Sequence, residues 1–262
     1  MIGDQPSFGS NPSFFEVVRG RGVDPSDLNR ASEQGGLIAP HGTTVLAVKF
    51  EDGVVMAGDR RAVEGSAIAD RRMDKVYPAD EHSTIGIAGV AAQAIELVRL
   101  FQTELEHYEK VEGEQLSLEG KANRLAQMLR SWMPFIMQGL IVVPIFAGYD
   151  LRRDEGRIFR YDVIGGRYEE EEFHATGSGG RDAKGSLKKR YRPGLGRDEA
   201  IRVAVEGLFD ASEEDTATGG ADPLRGIYPS VFAITREGVD ELSSDETKTA
   251  YEEILAAREA TG

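Results

Sequence analysis

HGTTVLAVKF, residues 41–50, reads as a turn followed by a β-strand that starts abruptly at a hydroxyl residue. Thr43 and Thr44 follow Gly42 directly, and the chain differs in kind on the two sides of that glycine. Residues 1–42 are rich in Gly, Pro, Ser, Asn and Asp and hold no helical or strand period for long. Their composition is that of a flexible leader, with Phe8, Phe14 and Phe15 as its large anchors. From Thr43 onward, periodic segments follow one another.

The 262 residues are 40% hydrophobic, which suits one large domain with a substantial core. A formal net charge of −14 argues against nucleic acid as a partner, because phosphate binding needs a basic face. The absence of cysteine excludes disulfides, thiolate metal sites and a Cys nucleophile, and it suits a reducing cytosol. The longest apolar run, GLIVVPIFAG (139–148), contains Pro144 and falls short of the ~20 residues that span a bilayer. The N-terminus has no basic segment followed by an apolar one, so it does not read as a secretory signal. A cytoplasmic protein with no membrane partner is expected.

TTVLAVKF and VVMAGD flank the turn signal EDG and predict a hairpin; MDKVYPAD and STIGIAG predict two more strands. Val90, Ala94, Leu97, Phe101, Leu105 and Tyr108 form one apolar helical stripe. Leu118, Ala122, Leu125, Leu129, Trp132 and Ile136 form a second, ending at Gly139. Strands return in LIVVPIFAGYD, GRIFRYDVI and RYEEEEFHAT. Helices follow from GSGG (177–180) to about Tyr191 and over roughly 197–212. YPSVFAIT and GVDEL read as strands, and Ser243-x-x-Glu246 is a capping box opening a last helix. This order predicts an α+β domain of antiparallel sheets packed on each other with helices outside, without repeat or second domain.

Most familiar chemistries are missing. None of His41, His82, His107 and His174 stands at metal-ligand spacing, and HExxH is absent. No G-x-S-x-G elbow supports a serine triad. GSGGRDAKGS (177–186) has Lys-Gly-Ser where a phosphate loop needs Gly-Lys-Ser, so it reads as a turn capping a helix.

The hairpin remains. If Phe50 pairs with Val54, Thr43 faces Arg61 and Asp59 faces Val45, which puts Asp59 near Thr43. A neighbouring antiparallel strand would bring Lys75 to the same place. The plain alternative is a surface Asp–Lys pair beside a β-favouring threonine. A threonine hydroxyl is a poor nucleophile and needs a base, and a free amine on the same residue is such a base. A nearby ammonium lowers that amine's pKa by disfavouring a second positive charge. The amine exists only if the chain is cut between Gly42 and Thr43, which would account for both the leader and the abrupt strand.

At these residues the sequence resembles the proteasome β subunits, members of the N-terminal-nucleophile hydrolases. The matching motifs are Gly-Thr-Thr at 42–44, AGDRRA at 57–62, DKVY at 74–77, GIAG at 86–89, ATGSGG at 175–180 and EDTATGG at 214–220. They run in family order, and the helical pair and leader are similar to the actinobacterial type. The resemblance implies a four-layer αββα sandwich over residues 43–262, preceded by a propeptide, residues 1–42, removed at Gly42–Thr43. It implies Thr43 as nucleophile and, through its amine, general base, with Lys75 tuning its proton balance and Asp59 holding Lys75. It implies the Gly89 N–H as oxyanion donor, and Ser178, Asp215 and Thr218 as the network around the amine; Thr218 stands where serine is frequent.

Ala62, Val63, Met73, Ile87 and Ala91 would contact the substrate, Val63 replacing a frequent threonine. An apolar pocket implies cleavage after large hydrophobic residues. No metal or organic cofactor is implied. The implied partners are α subunits and other β subunits in stacked seven-membered rings, an ATPase ring beyond the α rings, and unfolded protein substrates. The alternatives are a catalytically silent ring subunit and a small-molecule amidohydrolase of the same nucleophile class.

Overall fold

The structure, a computed structural model, describes residues 42–64 and 67–260. Of the expected leader only Gly42 is included; Phe8, Phe14, Phe15 and His41 lie outside the described residues. The chain opens with β1 (Thr44–Phe50), β2 (Gly53–Gly58), a small hairpin of β3 (Ala62–Glu64) and β4 (Ala67–Asp70), then β5 (Val76–Asp80) and β6 (Ser83–Gly89). Helices α1 (Ala91–Glu112) and α2 (Leu118–Ser131) and the single turn α3 (Met133–Ile136) follow. Strands β7 (Val142–Asp150), β8 (Glu155–Tyr161), β9 (Arg167–Glu170) and β10 (Phe173–Gly177) precede α4 (Gly180–Arg190) and α5 (Arg197–Glu214). The last elements are β11 (Ser230–Thr235), β12 (Gly238–Glu241) and α6 (Ser244–Glu259).

One five-stranded antiparallel sheet has the order β10-β1-β2-β11-β12, the other β5-β6-β7-β8-β9. Strand β1 is buried on both faces, so it reads as a nearly continuous apolar run. Its Leu46, Val48 and Phe50 pack with Leu187 of α4, Val205 and Leu208 of α5 and Ile254 of α6. Its Val45 and Ala47 point the other way, against Ile145, Ala147 and Ile158 of the second sheet. That sheet turns Ile85, Ile87, Phe146 and Phe159 toward Leu97, Phe101, Leu125 and Leu129 of α1 and α2. Three apolar layers between four structural ones make the αββα sandwich. Each fully buried aliphatic side chain in them contributes about 1.5–3 kcal/mol.

Four local expectations are corrected. The first hairpin turns through Glu51 and Asp52 alone, so Phe50 pairs with Gly53 and Val45 with Gly58, one residue from the expected register. RYEEEEFHAT is two strands: β9 edges one sheet and β10 pairs with β1 in the other, with exposed Glu171 and Glu172 at the crossing. The second helix breaks at Trp132, because Pro134 has no N–H to continue the ladder. The hairpin β3–β4 has no counterpart in the sequence reading. The capping box is present as expected, with Ser243 and Glu246 each accepting the other's backbone N–H.

Candidate active site

The one-residue register difference decides which atoms meet. Asp59 follows β2 and lies opposite Thr44, not Val45. Its N–H donates to the Thr44 carbonyl at 3.1 Å, and Thr44 N–H donates to Asp59 Oδ1 at 2.8 Å. Asp59 Oδ2 accepts the N–H groups of Arg61 at 3.0 Å and Gly219 at 2.8 Å. The carboxylate is thus fully buried and held by backbone donors from three segments.

Lys75 does not come from a neighbouring strand of the same sheet. It immediately precedes β5 and reaches across from the facing sheet, its carbonyl held by Ile87 N–H of β6 at 2.8 Å. Its ammonium lies 2.7 Å from Asp59 Oδ1, and donates to the Gly42 carbonyl at 3.0 Å and to the Arg61 carbonyl. Only 1% of Lys75 is exposed, so this is no surface pair. Burial pushes the Lys75 pKa down; Asp59 opposes that shift and the Arg61 guanidinium adds to it.

Thr43 is buried between Gly42 and β1. Its N–H, part of the intact Gly42–Thr43 peptide, points at Ser178 Oγ 3.4 Å away, and its carbonyl accepts Ser178 N–H at 3.0 Å. Gly177, paired with Thr44, has φ 102°, and a Cβ there would fall 1.7 Å from the Thr43 carbonyl oxygen. Gly42 is equally tight: a Cβ would sit 2.1 Å from Ala217 Cβ.

Asp215 caps the C-terminus of α5, and Thr218 Oγ1 donates to its Oδ2 at 2.6 Å. Burial pushes the Asp215 carboxyl up, but hydrogen bonds from Ser178, Thr218 and Ala217 N–H outweigh it and hold the pKa below its ordinary value. Thr43, Asp59, Lys75, Ser178, Asp215 and Thr218 therefore form one connected set drawn from five places in the chain.

Gly89 ends β6 beside Val142, just before α1, and among the described residues it makes no hydrogen bond to that set. Of the residues expected to contact substrate, Ala62 opens β3 and is buried, Val63 and Met73 are half-buried, and Ala91 opens α1. Ile87 faces the helix layer. The sequence reading missed Thr44, whose buried hydroxyl lies 2.6 Å from Thr218 Oγ1 and accepts Gly179 N–H at 3.0 Å. The signal was the strand period: residue 44 must point away from residue 43, into the layer beneath it. Among the described residues no group of three or more His, Asp or Glu is arranged to hold a metal ion. No helix among them is long and apolar enough to cross a membrane.

Comparison with known proteins gives a consistent result. The family model described as "Proteasome subunit" matches residues 39–222. A "Proteasome subunit beta" of Acidimicrobium ferrooxidans is 55% identical over 260 residues, covering 97% of this chain and 94% of that protein. Proteins of the same name from Rhodococcus erythropolis (51% identical; 97% and 91% covered) and Streptomyces griseus (55%; 94% and 88%) are similarly close.

Proposed function

The chain belongs to the proteasome subunit family, and on that premise we propose that it is a self-processing threonine endopeptidase of the proteasome core. The observation that carries this reading is the Lys75 ammonium, buried between Asp59 Oδ1 and the carbonyl of the Gly42–Thr43 peptide.

Self-processing starts with attack of the Thr43 hydroxyl on the Gly42 carbonyl carbon. Lys75 donates to that carbonyl oxygen and favours the developing negative charge. The hydroxyl proton ends on the Thr43 nitrogen as the C–N bond breaks, leaving an ester that water hydrolyses. The products are a Gly42 carboxylate and a free Thr43 amine, and residues 1–42 are the propeptide released.

In the mature subunit the amine takes the Thr43 hydroxyl proton as the oxygen attacks a substrate carbonyl, and then passes it to the leaving amine. Water hydrolyses the acyl-enzyme. Lys75 lowers the amine's proton affinity and Asp59 orients Lys75. Ser178, Asp215 and Thr218 hold the nitrogen in place, and Gly89 N–H receives the oxyanion. The apolar character of Ala62, Met73, Ile87 and Ala91 supports cleavage after large hydrophobic residues, with Val63 contacting substrate through its backbone. Faster turnover of an Arg-ended than a Leu- or Tyr-ended reporter would count against that preference.

The subunit works within stacked seven-membered rings with α subunits and further β subunits. An ATPase ring feeds it unfolded protein, in the cytoplasm. Family membership disfavours the small-molecule amidase. The silent-subunit alternative is tested by intact mass and N-terminal sequencing after co-production with an α partner. A chain beginning at Thr43 is expected; a fully assembled chain still carrying residues 1–42 leaves Thr43 without its base and makes the silent subunit the better reading.

A further inference from the structure

We propose that Thr44, the residue after the nucleophile, is a positioning residue whose hydroxyl locks Asp215 through a one-way hydrogen-bond chain. This rests on the function proposed above. The donor of each link follows from counting protons. An ionised carboxylate only accepts, so Thr218 spends its single hydroxyl proton on Asp215 Oδ2, 2.6 Å away. The 2.6 Å contact between Thr218 Oγ1 and Thr44 Oγ1 then has Thr44 as donor. Thr44 Oγ1 in turn accepts Gly179 N–H at 3.0 Å. The chain runs Gly179 N–H to Thr44 to Thr218 to the Asp215 carboxylate, and each link polarises the next.

Every member of the chain matters to position. Gly179 precedes α4 and adjoins Ser178, which accepts Thr43 N–H and donates to Asp215. Two hydroxyl routes therefore converge on Asp215: a short one through Ser178 to the Thr43 nitrogen, and a long one through Thr218 to Thr44. Asp215 lies at the C-terminus of α5, where the helix dipole disfavours a negative charge, so it depends on these donors. Thr44 and Thr218 are fully buried, so water does not replace a lost link. The Thr44 N–H also holds Asp59 Oδ1, so one residue ties the Asp215 branch to the Lys75 branch.

The test uses full-length chain co-produced with its α partner, with mature subunit quantified by mass. Thr44→Val keeps shape and removes the hydroxyl. It is expected to lower kcat about tenfold or more on a Leu-ended peptide with KM changed less than twofold, because misplacement near the reacting atoms costs rate. Thr44→Ser, which restores the donor and acceptor, should return kcat to within about threefold of wild type, given how little a well-placed hydroxyl loses with its methyl. Wild-type kcat in Thr44→Val, or a Thr44→Ser variant as slow as Thr44→Val, overturns the proposal. Should Thr44→Val not assemble, Thr44→Cys, a weaker donor of similar size, is expected to fall between wild type and a dead site; wild-type kcat there overturns the proposal too. Thr43→Ala separates the two readings: retained activity in that variant defeats the threonine peptidase itself, whereas loss there with an unaffected Thr44→Val defeats only the role of Thr44.

Discussion

Lys75 Nζ lies 2.7 Å from Asp59 Oδ1 with both side chains sealed from solvent, the two residues coming from opposite sheets of the sandwich. Removing one partner strands the other's charge in the interior, a loss of about 3–5 kcal/mol. Lys75→Met is therefore expected to lower stability by that order and to leave the precursor uncut. Denaturant titration and intact mass measure the two effects. A Lys75→Met chain that processes normally would remove Lys75 from the mechanism.

Gly42 has no room for a side chain, since a Cβ would overlap Ala217. Gly42→Ala is expected to displace the Gly42 carbonyl from Lys75, and displacement of about 1 Å costs on the order of a hundredfold in the rate of the proposed self-processing. Precursor should accumulate in a time course followed by mass. The same chain produced directly from Thr43 should show unimpaired peptidase activity, because residue 42 is then absent.

Arg157 is a buried cation held by Glu119 of α2, Asp150 of β7 and Glu169 of β9, none of them a member of the set around Thr43. Hydrogen bonds that Arg157 donates to Glu169 raise its pKa further against the opposing effect of burial. Arg157→Met leaves three carboxylates facing one another and should cost about 3 kcal/mol. Denaturation midpoints should fall while kcat per folded subunit stays unchanged. An unchanged midpoint would mean the network contributes nothing net.

His174 on β10 should set an acid limit to stability. Burial, with Lys184 and Arg160 nearby, pushes its pKa from 6.5 to about 3. Glu170, 3.3 Å away, favours the imidazolium, but its carboxylate is engaged by Arg160. The folded state thus holds His174 neutral where the unfolded chain binds a proton. Its contribution is fully present above 6.5 and is lost as pH falls from 6.5 toward 3, by up to about 1.4 kcal/mol per pH unit. His174→Gln should flatten that slope in urea titrations at stepped pH; an unaltered slope would assign it to other groups.

Strand and helix order was legible because the hydrophobic period is strong. The stripe from Ala94 to Leu105 had to be one buried helix face, and GTTVLAVKF had to be a core strand. What was not legible depended on single residues. Nothing local distinguishes a two-residue turn at Glu51-Asp52 from a three-residue one, yet the choice moves Asp59 from Val45 to Thr44. Nor does RYEEEEFHAT announce that its halves belong to different sheets, because both remain extended.

By itself the sequence determined the chemical inventory: a hydroxyl after Gly42, a carboxylate after β2, a lysine before β5, and no cysteine or metal-spaced histidines. Local propensity and residue type are properties of the chain, and they do not change on folding. Only the tertiary structure decided that Lys75 arrives from the facing sheet, that the Thr44 hydroxyl meets Thr218 and Gly179, and that loops at 178 and 215–219 close on residues 42–44. The loop contacts join residues more than a hundred positions apart, and what brings them and Lys75 together is burial of the apolar layers on both faces of β1, which no local pattern encodes.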